Sequence, residues 1–557
     1  MKELERLREA VYQALDARDW AAARTAIAAL APLVPTEAAG LLVSSWIESG
    51  DLDAAETALE KLQRLAPQVP YTQFLTARIL FGRKRYVTAR RILEQALGRG
   101  GIAPAYLEKL ENLLGQCCRE LGDSRASTAA YLAVAEAAPT PSLGALEYSS
   151  YLFNRHYLSP EAPEVERQAA ARYEAFFRDV PQHRWDAAEM QARQRAHGAK
   201  LRVGYISPDF REHVVLCFSW ALVTGLDPSQ FETVCYMTGP EDAYSRALAR
   251  EVDGWRNLAG VSPDAAAAAI EDDEIDILVD LSGHTRGGAL PVLARRPAPV
   301  QLSGIGYFAS TGLSAVDGFL GDPYLDAGDA QKAFVEPLIV LPQSHFCYRP
   351  LHDVPVAAEL PCQKNGFITF GSFNNFTKVN DDVLACWKAL LDRVPESRLL
   401  LKASIFDAQE GQEAALARLR AAGFDLSRII CRATSRDYLQ EYHDMDIALD
   451  SFPYPGGGTS CDALYMGVPL VTLRGMDHGS RFGWSLLANL GLEELCADTP
   501  ATYIDCAAAL AEDKETLEAL HRILRPMMQR SPLMNAASYA QGIMEAYRMV
   551  WQKKSQE

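Results

Sequence analysis

The sequence has no run of about eighteen uninterrupted apolar residues, the length a membrane-spanning helix requires, so no membrane partner is expected. Its opening segment, MKELERLREAVYQ, lacks the basic-then-apolar order of a secretory signal, and the expected location is cytoplasmic. Cysteines number eleven but have no paired spacing, and the one close pair, Cys117 and Cys118, is adjacent. That arrangement suits neither a disulfide framework nor a metal knuckle, and buried, reduced thiols are expected. Positive charge is also short: 55 Lys and Arg stand against 72 Asp and Glu, a formal net charge of −17. With no basic tail, nucleic acid is not an expected partner. A nucleotide still can be, because local cations and helix N-termini decide that affinity. GxxxxGKS/T, HExxH, CxxC and GxSxG motifs are all missing, so neither a metal nor a bound cofactor is expected.

What is present is ordinary globular material, 48% hydrophobic and 23% charged over 557 residues. That is too long for one core and suggests roughly three or four domains. The first part, rich in Ala, Leu, Glu and Arg, repeats itself. LAPLVP from Leu30 returns as LAPQVP from Leu65, a spacing of about 35 residues that suits paired-helix repeats. DWAAARTAI from Asp19 is echoed by DLDAAETAL from Asp51, RYVTARRIL from Arg85 and GDSRASTAAYL from Gly122. Ala23, Ala55 and Ala89 fall where antiparallel helices must approach closely, and the prolines are read as closing each unit. The pattern resembles a tetratricopeptide repeat, although an irregular helical bundle would share the composition. A repeat stack offers a concave surface to a peptide, so a protein acceptor docked on this arm is the expected partner.

From Leu201 onward, short β-branched runs alternate with helical stretches: LRVGYI, IDILVDL, APVQLSGI, GFITFGSF, SRLLLKAS, RIICRA, DIALDS and PLVTLRG. Such alternation predicts parallel sheets flanked by helices, and its length predicts two of them with a cleft between. The expected divisions are 1–147 for the repeats, 148–199 for a helical linker, 200–355 for the first lobe and 356–557 for the second lobe with a C-terminal helix. The lobe break is placed near Pro350 to Lys364.

The segment SFPYPGGGTSCDALYMGVPL, Ser451 to Leu470, carries the clearest chemistry. Three glycines, including Gly457 and Gly458, let a ligand approach the backbone. Thr459 and Ser460 open a helix whose free N–H groups suit a diphosphate, and Asp462 in its first turn can reach a ribose hydroxyl. Taken alone, the same residues would also serve a plain surface turn. In FITFGSFNNFTKVN, Lys378 stands at a strand-end loop where an ammonium could neutralise a departing diphosphate. An exposed lysine at a helix start is the plainer alternative. His213, after the first strand, and His284, in SGHTRGG, are strand-end histidines that could act as general bases. GIGYFASTG, with Gly306, Tyr307 and Thr311, offers small and aromatic residues for a sugar or acceptor pocket beside His284.

Taken in order, LRVGYISPDFREH, SGHTRGG, RRPAPVQLSGIGYFASTGLS, FGSFNNFTKVN, GGGTSCDALYMGVPLVTL and SRFGWSLLANLGL are similar to glycosyltransferase family 41. That family contains the protein O-GlcNAc transferases and the SPINDLY proteins. The resemblance implies an α/β GT-B fold of two Rossmann-like lobes, preceded by an all-α tetratricopeptide-like repeat domain. It also implies metal-independent transfer with inversion, most simply of GlcNAc from UDP-GlcNAc onto Ser or Thr. GDP-fucose onto Ser or Thr, UDP-glucose onto Asn, and a non-catalytic scaffold with a nucleotide-binding half are the alternatives. By position, the family's cleft histidine falls on His213, its diphosphate lysine on Lys378, a neighbouring polar contact on Asn375, and its helix-start threonine and ribose-binding aspartate on Thr459 and Asp462. A histidine of the animal members aligns with Tyr438, and their Gly-His-Thr-Thr loop is here Gly456-Gly457-Gly458-Thr459, which puts base and sugar selectivity in question. Bacterial relatives often modify surface proteins such as flagellin, so a flagellin-like acceptor is implied by the resemblance alone.

Overall fold

The computed structural model describes residues 2–198 and 200–556. Its first part is a stack of helices: Lys2–Asp16, Trp20–Leu30, Pro35–Glu48, Leu52–Leu65, Pro70–Gly82, Tyr86–Gly98, Pro104–Glu120, Ser124–Ala137 and Pro141–Arg155. The recurring aspartates mark helix starts for a physical reason. Asp19, Asp51 and Asp123 are N-caps whose carboxylates accept from the amides of Ala22, Ala54 and Ala126 at 3.0, 2.9 and 3.2 Å. Ala23, Ala55 and Ala89 are fully buried at the helix crossings. The prolines, however, do the opposite of what was expected. Pro35 and Pro70, like Pro104 and Pro141, open helices rather than close units, because a first-turn N–H has no helical partner to lose.

The last two helices of the stack belong to the two-lobed half that follows as much as to the arm. Tyr131, Ala135, Tyr148, Tyr151 and Leu152 share one buried core with Ile206, Val234 and Leu278 of the following lobe. The expected boundary at 147/148 therefore falls inside the helix Pro141–Arg155. Earlier helices have small cores of their own, such as Val43, Leu59, Leu62, Leu75 and Ile79.

Two parallel sheets follow. The first holds β1 Leu201–Ser207, β2 Phe231–Met237, β3 Gly254–Asn257, β4 Ile277–Asp280, β5 Val300–Ser303, β6 Gly318–Gly321 and β7 Leu338–Val340, in the order β3-β2-β1-β4-β5-β6-β7. The second holds β8 Thr369–Ser372, β9 Arg398–Lys402, β10 Ile429–Arg432, β11 Ile447–Leu449, β12 Leu470–Leu473 and β13 Cys496–Ala497, in the order β10-β9-β8-β11-β12-β13. Strand order reverses between β1 and β4 and again between β8 and β11, and ligands of doubly wound sheets sit beyond the carboxyl ends at such reversals. This is the two-lobed GT-B arrangement with an all-helical domain before it.

Residues 341–368 connect β7 to β8, and 350–364 lie within that connection. The C-terminal helix Ala536–Lys554 departs from the expected division. It returns to the first lobe, where it packs on the helix Val214–Thr224, and the hydroxyl of Tyr547 donates to that of Tyr205 at 3.1 Å. Among the described residues, no helix is long and apolar enough to cross a membrane.

Candidate functional site

The glycine turn is built from Asp450, the residue after β11. Its buried carboxylate accepts from the Gly456 amide at 2.6 Å, the Thr472 hydroxyl at 3.0 Å and the Asn374 side chain at 3.3 Å. Those bonds pin the loop, so the helix Gly458–Tyr465 starts directly over the strand ends with Gly457 as its cap. A Cβ on Gly456 would lie 2.3 Å from the Ser460 hydroxyl and 2.5 Å from that of Thr459, so only glycine fits there. The Thr459 hydroxyl donates to Oδ1 of the Asn374 side chain at 2.9 Å, while Ser460 is buried.

Lys378 faces this turn. Its Nζ donates to the Pro455 carbonyl at 2.8 Å and stands 3.8 Å from the centre of the Tyr454 ring. Burial lowers the pKa of its ammonium to about 8, against the opposing pull of Asp450. Burial also raises Asp450 to about 6, with hydrogen bonds and Lys378 acting the other way. The structure does not bring Asn375 into this group. It is exposed and caps its own turn, accepting from the Thr377 amide at 3.3 Å and hydroxyl at 3.1 Å. The preceding Asn374 is the one that joins Lys378's strand-end loop to the glycine turn.

Asp462 lies one helical turn into Gly458–Tyr465 and is almost fully buried. Its two oxygens accept from the hydroxyls of Tyr348, at 2.5 Å, and Tyr438, at 3.2 Å. Burial raises its pKa to about 6, and the two phenols offset part of that cost. Tyr438 thus stands beside the aspartate rather than apart from it. Tyr442, a further residue the sequence did not single out, donates to the Thr459 carbonyl at 3.0 Å.

The first lobe meets this turn through another helix start. His213 caps the helix Val214–Thr224, its Nδ1 accepting from the Val215 amide at 3.3 Å, while an Asp209 oxygen lies 3.5 Å from the same nitrogen. Burial lowers the pKa of His213, and Asp209 opposes that shift. Two neighbours therefore compete for Nδ1. A proton on it facing Asp209 leaves Nε2 as a free base, whereas the helix amide favours the other tautomer. A Cβ on Gly458 would sit 2.1 Å from Cγ2 of Val214, so the two helix starts abut. Two positive helix ends and one ammonium converge on the cleft, the arrangement a diphosphate needs.

His284 is placed elsewhere than expected. Its ring nitrogens are both occupied, Nδ1 with the Ser149 hydroxyl at 2.9 Å and Nε2 with the Thr311 carbonyl at 3.0 Å, and burial pushes its pKa down to about 3. It ties the last arm helix to the Gly304–Gly312 loop and cannot serve as a base near neutrality. Thr311 is likewise buried, its amide donating to Glu336 at 2.7 Å. Gly306 is pressed against the Leu281 carbonyl. From that loop, Tyr307 to Ser310 line a cavity of about 450 Å³, shared with His156 and Arg155 of the linker side and with Met476 and Arg481 of the second lobe. His156 was not singled out in the sequence. Its Nε2 lies 3.0 Å from the Tyr307 hydroxyl, and its only sequence signal was a histidine at a helix end in an aromatic-rich stretch. Phe308 packs on Tyr454, with ring centres 4.7 Å apart, so the cavity adjoins the Lys378 site.

The probable UDP-N-acetylglucosamine–peptide N-acetylglucosaminyltransferase SPINDLY of Hordeum vulgare is 38% identical over 362 residues, covering 63% of this chain and 38% of that protein. Its counterpart of the same name in Arabidopsis thaliana is 38% identical over 361 residues, covering 63% of this chain and 40% of that one. The matched region thus spans about two fifths of each relative. Among solved structures, a mutant of the O-GlcNAc transferase from Thermobaculum terrenum superposes with a TM-score of 0.83 at 28% identity, covering 94% of this chain and 98% of that one. The family model of glycosyl transferase family 41 matches residues 158–352 and 358–543, a gap that coincides with the lobe junction. On that match the chain belongs to glycosyl transferase family 41.

Proposed function

We propose that this chain is an inverting glycosyltransferase that moves a sugar from a nucleoside diphosphate onto a hydroxyl of a protein, with GlcNAc from UDP-GlcNAc as the first donor to test. The observation that carries the proposal is the convergence of Lys378 with the starts of the helices Gly458–Tyr465 and Val214–Thr224. Charge that develops on a departing diphosphate would meet an ammonium and two sets of oriented amides, with no call on a metal or cofactor. Support for the sugar and the acceptor comes from the relatives, whose names specify UDP-N-acetylglucosamine and a peptide.

In this mechanism the acceptor oxygen attacks the anomeric carbon from the first-lobe side. The bond from that carbon to the diphosphate oxygen breaks, and the diphosphate keeps the electron pair beside Lys378. His213, through Nε2, takes or orients the hydroxyl proton. Thr459 and the amides of Gly457, Gly458 and Ser460 hold the diphosphate, and Asp462 with Tyr438 holds the ribose side. The apolar wall of Tyr307, Phe308 and Tyr454 borders the sugar. The repeat arm carries the acceptor, a flagellin-like surface protein being one candidate, and the eleven unpaired thiols suit the reducing cytoplasm.

The test is a panel of UDP- and GDP-sugars titrated into the purified chain by calorimetry, followed by mass spectrometry of incubated acceptor proteins. UDP binding and an added N-acetylhexosamine on Ser or Thr are expected. A deoxyhexose from GDP-fucose or a hexose on Asn would replace the donor or linkage. Nucleotide binding without product across the panel would mark a non-catalytic scaffold.

A further inference from the structure

The arm is not merely attached in front of the catalytic half: one of its helices is fastened to the second lobe far along the chain. Glu410 opens the helix Gln409–Ala421 of that lobe, and its carboxylate caps the arm helix Tyr86–Gly98. One oxygen accepts from the Thr88 amide at 2.7 Å, and the other from the Thr88 hydroxyl at 2.8 Å and from Arg85 at 3.3 Å. Beside it, Asp407 pairs with Lys84, whose backbone is held in the left-handed region at φ 58° to make the turn before that helix. A lobe carboxylate thus supplies the first-turn cap that Asp19, Asp51 and Asp123 supply within their own repeats, because Arg85 occupies the capping position here and offers no acceptor.

Both fastenings lead on to the donor site. Asp407 also accepts from the Thr434 amide at 2.6 Å and hydroxyl at 2.8 Å, at the head of the segment that carries Tyr438 to Asp462. At the other end of Gln409–Ala421, Arg418 is wedged between the arm and the Lys378 turn. Its Nη1 would meet a Cβ on Gly122 at 2.5 Å, its Nη2 donates to Asp381 at 2.8 Å, and its guanidinium lies over Phe376 at 5.8 Å. Asp381 begins the helix that follows Lys378, and Phe376 begins the Lys378 turn itself. The arm helix Pro104–Glu120 also packs on that turn.

We infer that Thr88, Glu410, Asp407 and Arg418 are positioning residues through which the docked repeat arm sets the Lys378 turn and the Tyr438 segment, so that donor binding depends on the arm. This rests on the donor-site reading above. The physical basis is that charge-assisted hydrogen bonds at a helix start are among the stronger polar contacts; the turn Ser404–Asp407 joins them to the Tyr438 segment and the helix Gln409–Ala421 joins them to the Lys378 turn.

The experiment uses the full chain with Glu410→Gln, Thr88→Val and Thr88→Ser, read by hydrogen exchange of the peptides around 372–380 and 433–440 and by UDP and GDP calorimetry. Glu410→Gln and Thr88→Val should speed exchange in both peptides and weaken nucleotide binding, on the order of tenfold, without lowering the main melting transition. Thr88→Ser, which keeps the hydroxyl, should stay close to the parent. Faster exchange confined to residues 84–98, with both donor-site peptides unchanged, would overturn the inference. A parent chain that binds neither nucleotide would defeat the donor reading instead, while the exchange measurement would still decide whether the arm positions these segments.

Discussion

On the proposed function, Lys378 and Asp462 bracket the pH range in which a donor site here carries the charges it needs. Lys378, lowered to about 8 by burial, loses its ammonium as pH rises through that value, while Asp462, raised to about 6 by burial, loses its carboxylate as pH falls through it. UDP affinity is therefore expected to be highest between about 6 and 8 and to fall on both sides. Asp450, also raised to about 6, titrates within the acidic limb. Lys378→Arg should abolish the alkaline limb alone, since a guanidinium stays charged, and calorimetry across pH 5 to 10 measures it. Lys378→Ala should cost transfer at least about a hundredfold with the melting temperature nearly unchanged; near-parental turnover by that variant would remove the lysine from the mechanism. Sequence made Lys378, Thr459 and Asp462 legible because each stands at a fixed place after a strand or at a helix start. It did not make Asp450 or Asn374 legible, since their work depends on a loop folding back over 76 residues to bring the two together.

At the scale of elements, the meeting of two helix starts is the feature open to a direct steric test. Gly458→Ala would place a methyl group 2.1 Å from Val214, forcing the first-lobe helix away from the glycine turn. A penalty of about 1–3 kcal/mol is typical of such overpacking, and here it should appear as weaker UDP binding. The double change Gly458→Ala with Val214→Ala restores the space and should recover most of the affinity; an equally weak double variant would show that the two helix starts do not need to touch. Periodicity found eight strands, among them β1, β4 and β8 to β12, because their β-branched runs are flanked by clear turns. It passed over β2, β3, β6, β7 and β13, several of them short and lying toward the sheet edges, where fewer apolar residues are demanded. Helix starts in the arm are legible from the recurring Asp. The role of the prolines was misassigned because the same residue can end one helix or begin the next, and spacing alone does not say which.

For the whole molecule, the continuous core between the last arm helices and the first lobe decides where the chain can be cut. A chain beginning at residue 124 keeps Tyr131, Tyr148, Tyr151 and Leu152 against Ile206 and Val234 and should remain folded, with weakened nucleotide binding because Thr88 and Lys84 are gone. A chain beginning at residue 156 strips those side chains from the core, each contributing about 1.5–3 kcal/mol of burial, and leaves His284 without Ser149. It should aggregate or melt at much lower temperature in a thermal scan. Comparable melting of the two truncated chains would show that the arm ends where the repeats end.

The sequence by itself determined the class of each region and the local make-up of the glycine turn, because caps, glycine turns and strand-end loops are written in neighbouring residues. Only the tertiary structure decided which residues act together. His284 sits in an interior frame instead of a cleft, the C-terminal helix covers the first lobe, and Glu410 reaches across 322 positions to cap Thr88. Those outcomes depend on how lobes and arm pack, and packing is set by surfaces assembled from distant segments that no local pattern records.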